Sequence, residues 1–79
     1  MAVRVFLSTV LRRHVEGYDG ETGISLEPRN LKTVRDICLH LAIPSEKIKL
    51  AMVNGRSVSL DHVIRDGDRV GLFPPVGGG

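Results

Sequence analysis

A small α+β roll, with one helix laid across one face of a mixed sheet of four or five strands, is the fold class this sequence predicts. Three observations carry that expectation. Two alternating apolar segments come before a single stretch of helical periodicity, and two or three more alternating segments follow it. Clusters of Gly, Asn, Asp and Pro separate these segments. The 79 residues, 42% apolar and 25% charged, suit one folded domain rather than a disordered chain. A domain of this size buries only about 60 to 65% of its unfolded surface, which favours a carrier, adaptor or subunit over a self-contained enzyme.

Taken in order, Val3 to Leu11 alternates as a strand, with Val3, Val5 and Leu7 on one face and Arg4, Phe6 and Ser8 on the other. The stretch from His14 to Gly23 carries three glycines with Asp19 and Glu21, so it predicts a hairpin loop. Ile24 to Glu27 then returns antiparallel. Thr33 is a natural N-cap. Val34, Ile37, Cys38 and Leu41 fall at i, i+3, i+4 and i+7, one apolar stripe on a helix over Val34 to Ala42, stopped by Pro44. Leu50 to Val53 is the third strand, Asn54-Gly55 a tight turn and Ser57 to Leu60 a short fourth strand. Asp66-Gly67-Asp68 makes a further turn before the last strand, Arg69 to Phe73. Hairpin, crossing helix and further strands describe a β-grasp sheet with one face covered.

In that fold the first and last strands are central neighbours. Val70 and Leu72 then face the helix, and pleating sends Phe73 to the opposite face beside Phe6. The two phenylalanines form an expected partner-binding patch on the uncovered side, with Ser8 and Ser57 nearby.

The domain is expected to span 1–73, and 74–79 to project from it as a flexible tail. Pro74 and Pro75 each fix φ near about −65° and lack an N–H, which stops the sheet and favours an extended stem. Behind them Val76, Gly77, Gly78 and Gly79 end the chain, and residues without Cβ atoms can thread a channel too narrow for side chains. At roughly 3.3 to 3.6 Å per extended residue, the six residues reach about 20 Å. The Gly79 carboxylate is therefore the candidate reacting group, delivered into another protein's active site.

Other classes fit poorly. No run approaches the roughly 20 apolar residues of a membrane span, and Met1 to Leu11 lacks the pattern of a secretion signal, so a cytoplasmic protein without membrane partners is expected. A lone cysteine agrees with a reducing compartment. The net charge of +2 is dispersed, and Phe6, Tyr18 and Phe73 are too few for base stacking, so nucleic acid is not an expected partner. Arg12-Arg13-His14 reads as a solvated strand end, with docking to an acidic partner as the lesser reading. Cys38 sits in the apolar stripe and is expected in the core, not at a reactive site. His14, His40 and His62 lack metal-ligand spacing, so no metal site is expected, and Asp66 and Asp68 are ordinary turn residues.

Four segments carry a resemblance to a known family: Val53-Asn54-Gly55, Ser59-Leu60-Asp61-His62, Asp66-Gly67-Asp68-Arg69-Val70 and Phe73-Pro74-Pro75-Val76-Gly77-Gly78-Gly79. Together they resemble the MoaD/ThiS family of ubiquitin-like sulfur carriers, and most closely its molybdopterin synthase small subunits, whose end reads Phe-Pro-Pro-Val, a variable residue and Gly-Gly. The element order agrees along the whole chain, and the residue-level likeness is concentrated from Val53 onward.

The resemblance implies that an adenylyltransferase related to ubiquitin-activating enzymes activates Gly79. It further implies that a sulfur donor, such as a cysteine desulfurase or rhodanese, supplies the sulfur of a thiocarboxylate. A larger molybdopterin synthase-type subunit then receives the tail. ATP and Mg²⁺ are expected in the activating partner, with no cofactor bound by this chain. Its Gly-Gly-Gly is no phosphate loop, because neither a helix nor Lys-Ser/Thr follows it. Carriers for thiamine, cysteine or a tungsten cofactor remain alternatives. So do a ubiquitin-like modifier conjugated through Gly79 and an interaction module with an inert tail.

Overall fold

The computed structural model describes residues 2–27 and 29–75. Five strands, β1 (Val3–Leu7), β2 (Ile24–Leu26), β3 (Leu50–Val53), β4 (Arg56–Val58) and β5 (Arg69–Phe73), form one sheet in the order β2-β1-β5-β3-β4. The central pair β1 and β5 is parallel and every other pair is antiparallel. One helix, α1 (Val34–His40), crosses the sheet, which is the ubiquitin-like β-grasp arrangement that the element order implied. The core lies between them. Val3, Val5, Leu7, Val70 and Leu72 of the central strands are buried, together with Ala51 and Val53 of β3 and with Val34, Ile37 and Cys38 of the helix.

The helix start follows from its first residues. Thr33 Oγ1 accepts the Asp36 N–H at 3.2 Å, while Asp36 Oδ2 accepts from Thr33 N at 3.1 Å and Lys32 N at 2.8 Å, a complete capping box. Two more first-turn donors are met from outside. Val34 N donates to His62 O and Arg35 N to Leu60 O, at 3.1 and 2.7 Å, so the loop after β4 straps the helix to the sheet.

Three boundaries differ from the sequence expectation. The first strand ends at Leu7, not Leu11, and Thr9–His14 is a 3-10 helix. Leu11 is buried all the same, so the apolar alternation fits either geometry. Arg12-Arg13-His14 is thus the last turn of that 3-10 helix and not a strand end. The long helix stops at His40, before the expected Ala42. Ala42 takes φ 58°, and Ile43 N reaches back to Cys38 O at 2.9 Å while Ala42 N donates to Leu39 O at 3.1 Å, a Schellman ending two residues ahead of the proline. The fourth strand is Arg56–Val58 in place of Ser57 to Leu60. Asn54 and Gly55, at φ 52° and 83°, form a two-residue turn that starts pairing at once, Val53 opposite Arg56.

The turn residues do the work expected of them. Asp68 accepts from Arg65 N and from Asn54 Nδ2, both at 2.8 Å, and Asn54 Oδ1 accepts from Arg69 N at 3.0 Å. One carboxylate and one amide therefore tie the β3–β4 turn to the start of β5.

Candidate interaction face and tail root

Because side chains alternate across a sheet, burying Val70 and Leu72 leaves Arg69, Gly71 and Phe73 on the uncovered side of β5. On β1 the same parity leaves Arg4 and Phe6 there. The register sets Arg4 opposite Arg69 and Phe6 opposite Gly71, and on the other flank Met52 lies opposite Gly71 and Leu50 opposite Phe73. Ser57 continues the row beyond Met52, and Ser8, whose N–H donates to Leu72 O at 3.1 Å, follows the end of β1.

Gly71 is the centre of this face. A Cβ on it would lie 3.3 Å from Phe73 Cε1, so the Phe73 ring folds back over the glycine, and Phe6 flanks it from the neighbouring strand. Phe6 and Phe73 are therefore brought to one patch on the uncovered face, each half-buried. The Arg69 guanidinium carbon stands 4.9 Å from the Phe6 ring centroid, a cation–π contact that places positive charge at the patch edge. Leu50 and Met52 belong to the same patch. The sequence reading passed over them, although the alternation of Leu50 to Val53 carried the signal once β3 was set beside β5.

The last ladder bond of β5 runs from Lys49 N to Phe73 O at 2.8 Å, and Pro74 and Pro75 follow as non-regular chain, the first half-buried and the second exposed. Val76, Gly77, Gly78 and Gly79 lie outside the described residues.

Beside the tail root, the loop between β1 and β2 is built more firmly than its glycines suggested. β2 pairs only with Val3, Arg4 and Val5, so the end of β1 has no strand on that side. Tyr18 supplies the missing partner, its hydroxyl accepting the Leu7 N–H at 2.8 Å, and Arg12 Nε donates to Leu7 O at 3.0 Å. The Arg12 guanidinium also sits 5.4 Å from the Tyr18 ring centroid. Two side chains thereby complete the edge of β1 that β2 leaves open.

Away from this face, Cys38 is 1% exposed, in the core as its place in the stripe required, and burial pushes its thiol up. His14, His40 and His62 lie on the 3-10 helix, on α1 and in the strap loop. Among the described residues no three His, Cys, Asp or Glu side chains converge in a metal-binding group, and no helix is long and apolar enough to cross a membrane.

Comparison with known proteins adds what the described residues do not reach. The molybdopterin synthase sulfur carrier subunit of Escherichia coli K12 is 40% identical over 55 residues, spanning 60% of this chain and 68% of that protein. SAMP1 from Haloferax volcanii superposes with a TM-score of 0.67 at 22% identity, covering both chains completely. The complex of subunits 1 and 2 of the molybdopterin-converting factor from Helicobacter pylori 26695 contains a chain that matches with a TM-score of 0.58 at 19% identity, again over 100% of each chain. These two structures bear on the fold. The family model described as "ThiS family" matches residues 13–79, the last strand and the whole Pro-Pro-Val-Gly-Gly-Gly ending included, and the chain belongs to that family.

Proposed function

We propose that this protein is a sulfur carrier of the molybdopterin synthase small-subunit type, working through a thiocarboxylate at Gly79. The observation that carries the reading is the 40% identity to the Escherichia coli sulfur carrier subunit, in a chain whose family match runs to the terminal glycine. The chemistry suits the residue types. A C-terminal carboxylate, with a pKa near about 3.3 to 3.7, is ionised at neutral pH and a poor electrophile. One of its oxygens attacks the α-phosphate of ATP, the bond to the β-phosphate breaks, and pyrophosphate leaves. A sulfur nucleophile then attacks the acyl carbon and AMP departs. Sulfide yields the thiocarboxylate directly, while a donor persulfide yields an acyl disulfide that a second thiol attacks, releasing the thiocarboxylate and ending as a disulfide with the donor.

Positioning and charge stabilisation dominate phosphoryl chemistry, and this chain has no phosphate loop, so the ATP and Mg²⁺ sites are assigned to an adenylyltransferase partner. The chain acts as a non-catalytic carrier: 74–79 is the threading arm, and Phe6, Leu50, Met52 and Phe73 are the surface by which partners orient it. The receiving partner is a larger molybdopterin synthase-type subunit, a reading supported by the two-subunit Helicobacter pylori complex that shares the fold.

Incubating the full chain with ATP, Mg²⁺, its cognate adenylyltransferase and a sulfide source should raise its intact mass by about 16 Da, sulfur for oxygen. An unchanged mass with a partner shown to release pyrophosphate in its presence rejects the thiocarboxylate. Isopeptide-linked Gly79 recovered from cells would instead establish a protein modifier.

A further inference from the structure

At the end of the sheet opposite the tail root, the β3–β4 hairpin and the strap loop enclose an open groove of about 690 Å³. Val53, Val58 and Val63 line its apolar part, with Val63 59% exposed. Its polar rim carries Arg56, Arg65, His62, Asn54 and Asp68. The charges on that rim are unequal in their commitments. Both Asp68 carboxylate oxygens already accept hydrogen bonds, from Asn54 Nδ2 and Arg65 N. The single ion pair among the described residues joins Arg35 to Asp61, so neither the Arg56 nor the Arg65 guanidinium has a carboxylate partner there.

The backbone of β4 is also incompletely used. β4 is an edge strand. Residues flanking a two-residue turn form a hydrogen-bonded pair and the pattern then alternates, so Val53–Arg56 and Ala51–Val58 are bonded and Ser57 directs its N–H and C=O outward. An aliphatic strip, two uncommitted guanidinium groups and a free strand edge lie together. A small anion would use the arginines alone and leave the valines wet. An extended chain with acidic and aliphatic side chains two residues apart, and so on the one face that Arg56 and Val58 share, would use all three features.

We propose that this groove is a second docking site, for an extended acidic segment of a partner protein. β5 runs from Arg69 beside the groove to Phe73 at the tail root, four steps of about 3.3 Å or roughly 13 Å, so the groove can be occupied while the tail is held elsewhere. The site needs no sulfur chemistry and stands or falls apart from the role of Gly79.

The test is a titration of the isotope-labelled full chain with the capped peptide Glu-Ser-Val-Ser-Glu, whose acidic and aliphatic side chains share one face, followed by backbone amide shifts. Saturable shifts are expected at Arg56, Ser57, Val58, Val63 and Arg65, with Gly71 and Phe73 unmoved and binding weakened by salt. Arg56→Glu with Arg65→Glu should weaken binding about tenfold or more while the spectrum stays native. If that pair unfolds the chain, Arg56→Gln with Arg65→Gln makes the same test with a smaller expected loss. The proposal is overturned by the absence of saturable shifts up to about 1 mM peptide. It is equally overturned by shifts confined to the Phe6 and Phe73 face, by equal binding of Lys-Ser-Val-Ser-Lys, or by the same shifts with inorganic phosphate alone.

Discussion

The two faces of the central strand pair differ more than any two elements of the molecule. On the helix side, Val3, Val5, Leu7, Val70 and Leu72 are at most 2% exposed. One residue away on the same strands, Arg4, Phe6, Arg69, Gly71 and Phe73 all keep some exposure. A strand only five residues long can therefore hold the fold with one parity and meet a partner with the other. Stability and recognition should be separable by substituting neighbours.

The adjacent pair Leu72 and Phe73 gives the strongest test of that separation. Leu72→Ala removes a fully buried side chain and should cost about 2 to 5 kcal/mol, read as a lower denaturation midpoint. Phe73→Ala, half-exposed, should cost only about 1 to 2 kcal/mol, yet reduce association with the proposed adenylyltransferase partner far more than Leu72→Ala does in its folded fraction. Equal stability losses with unchanged association would erase the distinction between the faces.

Gly23 is the one residue expected to disturb both faces at once. It stands at φ +71°, and an added Cβ would lie 2.7 Å from the Val5 carbonyl oxygen and 3.0 Å from Phe6 Cε2. The ring can give way, but the strand backbone cannot. Gly23→Ala should destabilise by about 2 to 4 kcal/mol, through the left-handed conformation and the overlap together. It should also shift the Phe6 ring resonances in the fraction that remains folded. A native midpoint for this variant would show that the loop entering β2 can relocate freely.

How much of this was legible in the sequence depended on whether a pattern had one geometric meaning. The parity of Val3 to Leu7 and of Arg69 to Phe73 was readable because a buried face fixes strand register, and it placed Phe6 and Phe73 correctly. The Asn54-Gly55 turn and the Thr33 cap were readable for the same reason, since each residue type has a specific local bond to make. Leu11 had two meanings, buried in a strand or in a 3-10 helix, and the strand was the wrong one. Tyr18 and Arg12 were invisible as edge-completing residues because their partner, Leu7, is reached only when the loop folds back. The groove at β4 needed the strap loop in place, which no local pattern positions.

On the covered side, the helix caps should change stability without changing association. Asp36 accepts two backbone N–H groups, from Lys32 and Thr33, and these hold its carboxyl below its ordinary value near 3.8. A depressed folded value means the contribution is present above the unfolded value and is lost as pH falls through the folded one. Acid titration of the native chain should therefore lose stability below about pH 4, and Asp36→Asn should flatten part of that slope while lowering stability at neutral pH. Parallel acid curves for the two proteins would assign the slope to other carboxylates.

The smallest expected effect has the opposite sign and lies at the other end of the same helix. Ala42 occupies the left-handed position that a Schellman ending normally gives to glycine, at φ 58°. A Cβ there costs about 1 to 2 kcal/mol, while glycine adds about 0.4 to 1 kcal/mol of unfolded-state entropy that must be lost on folding. The balance favours Ala42→Gly by up to about 1.6 kcal/mol, with Ile43, 2% exposed, keeping its anchor in the core. Because Ala42 follows the helix and lies off both strand faces, the gain should appear in the denaturation midpoint and leave the proposed sulfur loading and the proposed peptide binding at the groove unchanged. A loss of stability would mean that the left-handed turn relaxes once the Cβ is gone, and that the alanine itself, through its own contacts, holds the helix end in place.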